Sequence, residues 1–522
     1  MEPRPWHRFY RPGAATGIGD DRITLVDMLR RRVAASPDLP AAIYGEQVVS
    51  FAQVSAQVDV MGRGLVRLGL APGDRVLLMV PNCPAYIVAY YGILAAGGTV
   101  VPVNPLYVPR EVAHIAADSG ARMLVVADAI RERAAGIGVE RTVVVRMLGG
   151  APGAGEIAME DVMAGEGGAL PPGNPDAPAS LQYTGGTTGL PKGAVLTHRN
   201  LVANVNQLAA FAEPVAPGAE RVLTILPLSH VFGMTCCMHL GIAQGNCLVL
   251  QPRFDIDAVM AAIRRHKITA FPGVPTMYVA VLNYPRAEEY GIDSIRSLSS
   301  GGAPLPHQVA DTFVHRFGAS IGEGYGLSEA SPVTHSNPGW ARREGTVGIP
   351  LPDTDARIVD LETGTRVLPP GEDGELCIRG PQVMAGYWNQ PEATAAALRD
   401  GWLHTGDIAR MDADGYFSIV DRKKDMIIVS GYNVYPREVE EVLYQHPAVL
   451  EAAAVGVADG YRGEAVQAHV ALKPGQSVDA EALVAFCRER LAPFKIPRQV
   501  HFHPELPKSG AGKILRRALQ GR

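Results

Sequence analysis

Residues 183–193 read YTGGTTGLPKG, a glycine- and threonine-rich segment that ends in a lysine and a glycine. Its four glycines permit sharp turns that expose backbone N–H groups, and its three threonines add hydroxyl donors. Together with the charge of Lys192, this composition predicts a pocket for phosphate oxygens. A Walker A loop would place Lys between Gly and Ser or Thr, whereas Pro191 precedes Lys192 and Gly193 follows it. We therefore expect a nucleoside triphosphate site outside the P-loop class.

The composition of the whole chain narrows the class of protein. Its 522 residues exceed one small domain, and 47% hydrophobic with 19% charged residues indicates a globular protein. A net charge of −5 provides no broad basic surface, so we expect no nucleic-acid partner. The apolar stretches are too short or too interrupted for a transmembrane segment, and the N-terminus lacks the apolar region of a signal peptide. Six scattered cysteines without a CxxC pattern predict free thiols in a reducing compartment, so we expect a cytoplasmic protein.

Short apolar strands alternate with helical patterns over much of the chain. Helical spacing at 25–36, a buried strand at 99–102 and a strand at 320–323 are examples of this alternation. Because these strands are apolar almost throughout, we expect an α/β fold whose large N-terminal domain contains doubly covered, mainly parallel sheets.

The sequence pattern changes after residue 350. Short strands at 356–359, 374–379 and 416–420 are separated by Gly and Asp turns, which predicts a β-rich subdomain. A compact α+β unit follows a charged run, and we place the domain boundary at that run. The two predicted domains are residues 1–423 and 424–522.

A second candidate segment, GYGLSE, occupies residues 324–329 after an apolar strand. Ser328 offers a hydroxyl to a phosphate, Glu329 offers the hard oxygen ligand that Mg²⁺ prefers, and Tyr325 could stack on a purine. Taken alone, the segment is explained equally well by a tight turn at the end of a strand.

Each of three further segments, taken alone, is better explained by a structural role than by a functional one. GWLHTGD at 401–407 ends in Asp407, which could accept bonds from ribose hydroxyls but is more simply a turn residue. The run DRKKD at 421–425 has the composition of a solvated surface. The tail at 506–517, which contains glycines and lysines, has the composition of a frayed terminus.

Together and in this order, the segments resemble the acyl-adenylate-forming superfamily, which includes acyl-CoA synthetases, peptide-synthetase adenylation domains and firefly-type luciferases. The resemblance spans nearly the whole sequence. It departs from the family pattern at Gly186, where Ser is frequent, and at Ser328, where Thr is usual. Gly186 removes one hydroxyl donor but keeps the backbone turn, and Ser328 keeps the hydroxyl.

The resemblance implies a small, mobile C-terminal domain and a two-step ligase reaction. A carboxylate attacks the α-phosphate of ATP, pyrophosphate leaves, and the acyl-AMP then passes its acyl group to the thiol of coenzyme A. Lys513 is implied to bridge the carboxylate and the α-phosphate, and Lys424 is implied to be the hinge of the small domain. Glu329 would hold Mg²⁺, and Ser328 would bond the α-phosphate.

The remaining contacts implied by the resemblance fall into four groups. The residues for the β- and γ-phosphates are Thr184, Gly185, Gly186, Thr187, Thr188, Gly189 and Lys192. The residues that frame the adenine end of AMP are Gly301, Gly302, Ala303, Pro304, Gly324, Tyr325 and Gly326. The residues for the ribose are Asp407 and Arg422, and those presented to the pantetheine tunnel of coenzyme A are Gly431 and Tyr432.

The segment PLSHVFGM at 227–234 matches the family segment beside the acyl pocket. His230 is therefore implied to gate the pocket or to touch the carboxylate. Relatives that activate amino acids place Asp at the next position, whereas Val231 could not pair with a buried ammonium group, which disfavours an amino acid. The implied pocket wall consists of Val231, Phe232, Met234, Cys236, Tyr278 and Gly302. We expect a hydrophobic monocarboxylic acid that is fatty or otherwise bulky and apolar.

Several alternatives stay open at this point. The pattern of residues 400–424 also occurs in 4-coumarate–CoA ligases, so an aryl acid is the second choice. An adenylating enzyme that loads a carrier protein is a further alternative, although coenzyme A is favoured. A luciferase-type oxygenase, from a different class, shares the adenylation motifs. A non-catalytic nucleotide-binding protein would leave Glu329 and Lys513 unexplained. A homodimer is a possible assembly.

Overall fold

The structure is a computed structural model that describes residues 4–19, 21–165, 167–184, 191–430, 432–459, 462–510 and 512–520. Two large sheets, a smaller antiparallel sheet and a C-terminal sheet make up the fold. This mixed architecture confirms the predicted α/β class, with parallel sheets in a large N-terminal unit, a β-rich part and an α+β C-terminal unit.

A nine-stranded sheet forms one side of the N-terminal unit. Its strands in spatial order are Ile349–Pro350, Val333–Ser336, Ile321–Gly326, Ser297–Ser300, Ala270–Gly273, Arg221–Thr224, Cys247–Leu250, Pro40–Tyr44 and Gln47–Ser50. Pairing is parallel from Ile321–Gly326 to Pro40–Tyr44 and antiparallel at both edges. The carboxyl ends of the parallel strands therefore meet at one edge of the sheet, where ligands of α/β proteins commonly bind.

An eight-stranded sheet forms the other side of the N-terminal unit. Its strands in spatial order are Gly386–Tyr387, Lys192–Thr197, Pro178–Thr184, Thr99–Pro102, Arg75–Met79, Met123–Ala127, Arg141–Val145 and Glu156–Ala158. Pro178–Thr184 and Lys192–Thr197 form an antiparallel hairpin whose connection is the phosphate segment predicted from the sequence. This hairpin places Lys192 at the start of a strand.

Helices cover both sheets of the N-terminal unit. The α-helices are Leu25–Ala35, Phe51–Arg67, Pro84–Ala95, Pro109–Ser119, Met159–Ala164, His198–Phe211, Leu240–Gln244, Ile256–His266, Pro275–Leu282, His307–Phe317 and Pro391–Ala397, and a π-helix spans Gly233–His239. Short 3₁₀ turns span Pro5–Phe9, Asp128–Ala134, Ala287–Tyr290, Ile292–Ser294, Ser328–Ala330 and Gly339–Ala341. Pro84–Ala95 contacts strands of both large sheets, which explains why its residues are apolar on every face. None of the described helices is both long and apolar enough to cross a bilayer.

The β-rich part is a five-stranded antiparallel sheet. Its strands are Asp355–Val359, Asp373–Arg379, Trp402–Met411, Leu398–Arg399 and Phe417–Arg422. The pairing of Trp402–Met411 with Phe417–Arg422 sets Asp407 directly opposite Arg422. Asp407 and Arg422 are 15 positions apart in the chain, and the strand pairing makes them cross-strand neighbours.

The C-terminal unit has its own sheet and its own core. Its strands are Tyr432–Val434, Ile427–Val429, Gly463–Leu472, Val449–Asp459 and Gln499–His503, its α-helices are Pro436–Tyr444 and Ala480–Arg488, and a 3₁₀ turn spans Arg516–Ala518. The buried residues of this core begin at Ile427, whereas those of the main N-terminal core end at Phe417. The predicted domain boundary at residue 424 falls between the two cores and stays a prediction.

Candidate active site

A large cavity lies between the N-terminal unit and the C-terminal unit. Its volume is about 2140 Å³, which exceeds the 300–1,000 Å³ or so of a site for one small ligand. The cavity therefore has room for more than one substrate. Its lining includes most of the described residues that the sequence predicts to bind ligands, contributed by both units.

Lys513 reaches into this cavity from the C-terminal unit. The loop that carries it is held by a hydrogen bond from Thr276 Oγ1 to the carbonyl oxygen of Gly512, 3.0 Å long. The side chain passes Gly302, whose φ of +78° favours glycine and where a Cβ atom would lie 2.7 Å from Lys513 Cε, so a larger residue would displace the lysine. Burial, and then the charge of Arg422, lowers the pKa of Lys513 to about 8.

His230 lies close enough to Lys513 to be influenced by its charge. Burial, with a smaller effect of the Lys513 charge, lowers the pKa of His230 to about 3, so the imidazole is neutral at pH 7. Its Nδ1 accepts the N–H of Phe232 at 3.2 Å, which places the proton on Nε2. His230 can therefore donate one hydrogen bond to a carboxylate but cannot serve as its counter-charge.

Asp407, Tyr325 and Arg422 come together at the wall of the cavity. The Tyr325 hydroxyl donates to Asp407 Oδ2 at 2.6 Å, and Arg422 Nε lies 3.6 Å from Asp407 Oδ1. Burial raises the pKa of Asp407, although the Arg422 charge opposes this shift. The arrangement places a carboxylate, which can accept hydrogen bonds from hydroxyl groups, beside a guanidinium, which can bind an anion. Their binding of a ribose stays a prediction.

Glu329 lies in a 3₁₀ turn, Ser328–Ala330, that follows the strand Ile321–Gly326. Its Oε1 accepts a hydrogen bond of 2.7 Å from the hydroxyl of Tyr387, and its backbone carbonyl accepts the N–H of Met384 at 2.8 Å. Ser328 and Glu329 both line the cavity. The described residues contain no cluster of three or more His, Cys, Asp or Glu that could hold a metal ion alone. A single carboxylate beside a phosphate site fits Mg²⁺, because this ion is usually bound by one or two carboxylates together with substrate phosphates and water.

The phosphate segment is described only at its two ends. Gly185, Gly186, Thr187, Thr188 and Gly189 lie outside the described residues, and Thr184 is described only as the last residue of its strand. Lys192 lines the cavity, and its Nζ lies 5.4 Å from the centre of the Tyr387 ring.

The glycine-rich ends of two neighbouring strands form another part of the wall. The residues here are Gly301, Gly302, Ala303, Pro304, Gly324, Tyr325 and Gly326, and all of them line the cavity. A Cβ atom at Gly326 would lie 2.2 Å from the Pro332 carbonyl oxygen, so a close backbone approach requires glycine there. Their contact with adenine stays a prediction.

The structure divides the predicted acyl wall into two groups. Val231, Phe232, Cys236 and Gly302 line the cavity. Met234 and Tyr278, both within the described ranges, are not among its lining residues. Met234 accepts the Tyr90 hydroxyl at 3.2 Å, and Tyr278 donates to the backbone carbonyls of Phe271 and Ser299 at 2.8 Å each. The structure therefore places these two side chains in the protein core, where apolar periodicity alone cannot distinguish them from a pocket wall.

The structure also adds lining residues that the sequence patterns did not single out. Examples are Gln182, Ser299, Gly322 and Tyr387. No motif marks them, because each becomes part of the site only through strand pairing or long-range contacts. Gln182, for example, donates from Nε2 to the Ser229 carbonyl at 2.8 Å.

The residue predicted as the hinge lies at the cavity, whereas the described residue predicted for the coenzyme A tunnel lies outside it. Lys424 lines the cavity. Tyr432 is 58% exposed and stacks on Phe494, with ring centres 4.6 Å apart, and Gly431 lies outside the described residues. Lys513 thus lines the cavity while Tyr432 faces solvent.

Comparison with known proteins gives two family models that match the chain. The model for AMP-binding enzymes matches residues 29–388, and the model for the AMP-binding enzyme C-terminal domain matches residues 438–513. The chain is 42% identical to a long-chain-fatty-acid–CoA ligase of Bacillus subtilis, an alignment that covers 99% of this chain and 97% of that protein. It is 41% identical to a feruloyl-CoA synthase of an Amycolatopsis species, with 94% and 97% covered.

Among solved structures, MatB from Rhodopseudomonas palustris is informative because it is matched in two states. Its ATP-bound structure gives a TM-score of 0.86 at 30% identity, covering 95% of this chain and 98% of that one. Its apo structure gives a TM-score of 0.76 at 30% identity, covering 96% and 98%. The overall arrangement of this chain is therefore more similar to that of the ATP-bound relative.

Proposed function

The chain belongs to the AMP-binding enzyme family as an ATP-dependent, AMP-forming acyl-CoA ligase, and from this premise we propose that its acid is a long-chain fatty acid. The length of the cavity carries this proposal. Ser320 and residues 322–326 contribute to its lining, so the lining covers all of the strand Ile321–Gly326 except the buried Ile321. At a strand rise of roughly 3.3 Å per residue, this segment spans on the order of 20 Å.

The composition of the wall supports an apolar chain in this space. Apolar side chains on the sheet and on neighbouring helices line the cavity, namely Leu208, Phe211, Val222, Phe232, Leu240 and Val333. The far end of the cavity lies at the amino ends of the parallel strands. It is lined by Arg296 and Glu220, which form an ion pair with 3.0 Å between Arg296 Nη2 and Glu220 Oε1. An extended acyl chain could thus run from Lys513 to this ion pair.

The first step joins the acid to AMP. A carboxylate oxygen attacks the α-phosphorus of ATP, a new oxygen–phosphorus bond forms, and the bond to pyrophosphate breaks, so that two electrons leave with pyrophosphate. In this proposal Lys513 neutralises the two anions that must approach each other, and His230 donates a hydrogen bond from Nε2 to the carboxylate. Ser328 bonds the α-phosphate, and Asp407 with Arg422 holds the ribose.

We assign the metal site of this step to Glu329. When bound, Mg²⁺ would neutralise charge on the phosphates. The phosphate segment of residues 184–192 would hold the β- and γ-phosphates, which depart as pyrophosphate.

The second step transfers the acyl group to the thiol of coenzyme A and releases AMP. Lys513 fills the site in the first arrangement, so the C-terminal unit must rotate about Lys424 to remove it. The rotation would bring Gly431 and Tyr432 to the pantetheine tunnel. A cytoplasmic location belongs to the same proposal, because Cys83, Cys236, Cys237, Cys247, Cys377 and Cys487 are all free thiols.

An aryl acid is the second candidate. The feruloyl-CoA synthase relative covers 94% of this chain at nearly the same identity as the fatty-acid ligase relative. An aryl acid would occupy only the part of the cavity next to His230 and would leave the distant part unfilled.

A pyrophosphate-release assay over a panel of acids tests the proposal. The panel holds saturated fatty acids of increasing length, ferulate, benzoate and an amino acid, each measured with and without coenzyme A. We expect kcat/KM to increase with chain length up to long chains, with thioester formed only when coenzyme A is present. A maximum for ferulate or benzoate would replace the fatty acid by an aryl acid, and pyrophosphate release without any thioester would overturn coenzyme A as the acceptor.

A further inference from the structure

Tyr387 contacts two residues that have separate roles in the proposed ATP site. Its hydroxyl donates to Glu329 Oε1 at 2.7 Å, and its ring faces Lys192 Nζ at 5.4 Å from the ring centre. Tyr387 lines the cavity. The side chain therefore joins the carboxylate assigned to Mg²⁺ and the cation assigned to the departing phosphates.

The backbone around Tyr387 is fixed to the same two parts of the site. Met384 N–H donates to the Glu329 carbonyl at 2.8 Å, and Trp388 N–H donates to the Gly193 carbonyl at 2.8 Å. Tyr387 itself pairs with Ala194 at the edge of the eight-stranded sheet. The segment from 384 to 388 thus connects the Glu329 turn to the strand that follows the phosphate segment.

We propose that Tyr387 is a positioning residue that orients the Glu329 carboxylate for Mg²⁺ and thereby sets the affinity of the enzyme for this ion. The inference rests on the proposed assignment of Glu329 as the Mg²⁺ ligand. A bond to Oε1 stops the carboxylate from rotating and leaves Oε2 available for a cation. Partners of metal ligands commonly change metal affinity or activity by about ten- to a hundredfold when they are removed.

The ring of Tyr387 has a second, separable effect. A cation near an aromatic face is stabilised by the negative charge on that face. The ring therefore helps to hold the Lys192 ammonium group at its position beside the phosphate segment. Replacing Tyr387 by Phe removes only the hydroxyl, whereas replacing it by Leu removes the hydroxyl and the aromatic face.

Calorimetric titration of ATP, without any acid and therefore without turnover, tests the inference. The dissociation constant for ATP is measured at increasing Mg²⁺ concentrations for the wild type, Tyr387→Phe and Tyr387→Leu. We expect Tyr387→Phe to need about tenfold more Mg²⁺ to reach half of its gain in ATP affinity, because the outer-shell bond is lost. Its ATP affinity in the absence of Mg²⁺ should equal that of the wild type, whereas Tyr387→Leu should bind ATP more weakly under both conditions.

Tyr284→Phe is the matched control. Tyr284 also donates to a carboxylate, Asp257 Oδ1 at 2.8 Å, but does not line the cavity among the described residues. Its Mg²⁺ midpoint should not change. An unchanged midpoint for Tyr387→Phe would overturn the inference, as would an equal shift in Tyr284→Phe. If ATP binding by the wild type did not depend on Mg²⁺ at all, the assignment of Glu329 would fail instead.

Discussion

Lys513 places an ammonium group in a buried environment that lowers its pKa. A buried ammonium group is costly unless negative charges accompany it. The neighbouring charges are mixed, because Arg422 lowers the pKa of Lys513 while Asp407 raises it. The carboxylate and the α-phosphate of the proposed substrates would supply the missing negative charge. The same environment that makes Lys513 easy to deprotonate in the free enzyme therefore favours binding of two anions.

The pH dependence of adenylation should report this lysine. A lowered pKa means that Lys513 loses its proton as the pH rises through about 8, so the cation is fully present only below that pH. We expect kcat/KM for pyrophosphate release to fall above pH 8 or so, and the corresponding fall in kcat to occur at higher pH because bound anions stabilise the cation. The pH dependence of kcat/KM and that of kcat can be measured in one series of buffers.

Lys513→Arg serves as the control for this prediction, because guanidinium stays protonated throughout the range. The variant should be slower than the wild type, but its kcat/KM should lack the basic limb. A basic limb at the same pH in Lys513→Arg would assign the titration to another group.

Two adjacent strands would shape the proposed acyl channel. Ser297–Ser300 and Ile321–Gly326 are parallel neighbours, and small residues on both of them line the cavity. A Cβ atom at Gly322 would meet nothing closer than 3.5 Å, the distance to the Leu298 carbonyl oxygen. A methyl group therefore fits at this position, whereas a larger side chain would project into the channel or displace its wall.

Gly322→Leu should shorten the range of acids that the enzyme accepts. We expect kcat/KM for long-chain acids to fall at least about tenfold, since overpacking a well-filled wall typically costs 1–3 kcal/mol or so. Short-chain acids should be affected less. Gly322→Ala is the control and should keep the wild-type chain-length profile. An equal loss for short and long acids in Gly322→Leu would indicate general damage and count against this path for the chain.

The sequence was sufficient for elements that local chemistry specifies. The helix Leu25–Ala35 begins after Thr24, which forms a capping box with Asp27, and the strand Thr99–Pro102 is buried at every residue. Both were predicted from short segments because their signals lie within a few residues. The ATP-binding motifs were recognisable for a similar reason, since glycine and charged residues recur at fixed spacings.

Elements whose sequence reflects the cavity were harder to predict. The strand Ser297–Ser300 was not predicted, because three of its four residues are serine and lack the apolar pattern of a buried strand. Tyr387 was not predicted either, since it is 58 positions from Glu329 in the sequence and the two residues meet only in the folded chain. Burial alone also could not separate Met234, in the core, from Cys236, at the cavity.

At the scale of the whole molecule, two cores meet across a polar boundary. Arg516 Nη2 lies 2.6 Å from Glu440 Oε2 within the C-terminal unit, and its Nη1 lies 3.4 Å from Asp421 Oδ1 on the last strand of the β-rich sheet. Arg437 N–H also donates to Asp421 Oδ2 at 3.0 Å. Rotation of the C-terminal unit would have to break the contacts to Asp421, so these contacts favour the present arrangement.

Substitution at the predicted hinge should separate the two half-reactions. Proline fixes the backbone φ angle, so Lys424→Pro should restrict rotation about this residue. We expect thioester formation to be impaired much more than adenylation when the two are assayed separately. Lys424→Ala is the control and keeps the backbone freedom. Equal impairment of both steps by Lys424→Pro would move the hinge elsewhere.

In the proposed mechanism, Lys513 serves the first half-reaction and leaves the site for the second. Lys513→Ala tests it most directly when both half-reactions are measured on the same preparation. Pyrophosphate release from ATP and a long-chain fatty acid should fall by about a hundred- to a thousandfold, by analogy with loss of an oxyanion-stabilising donor. Conversion of synthetic acyl-AMP and coenzyme A to the thioester should stay close to the wild-type rate. Equal losses in the two half-reactions would contradict the claim.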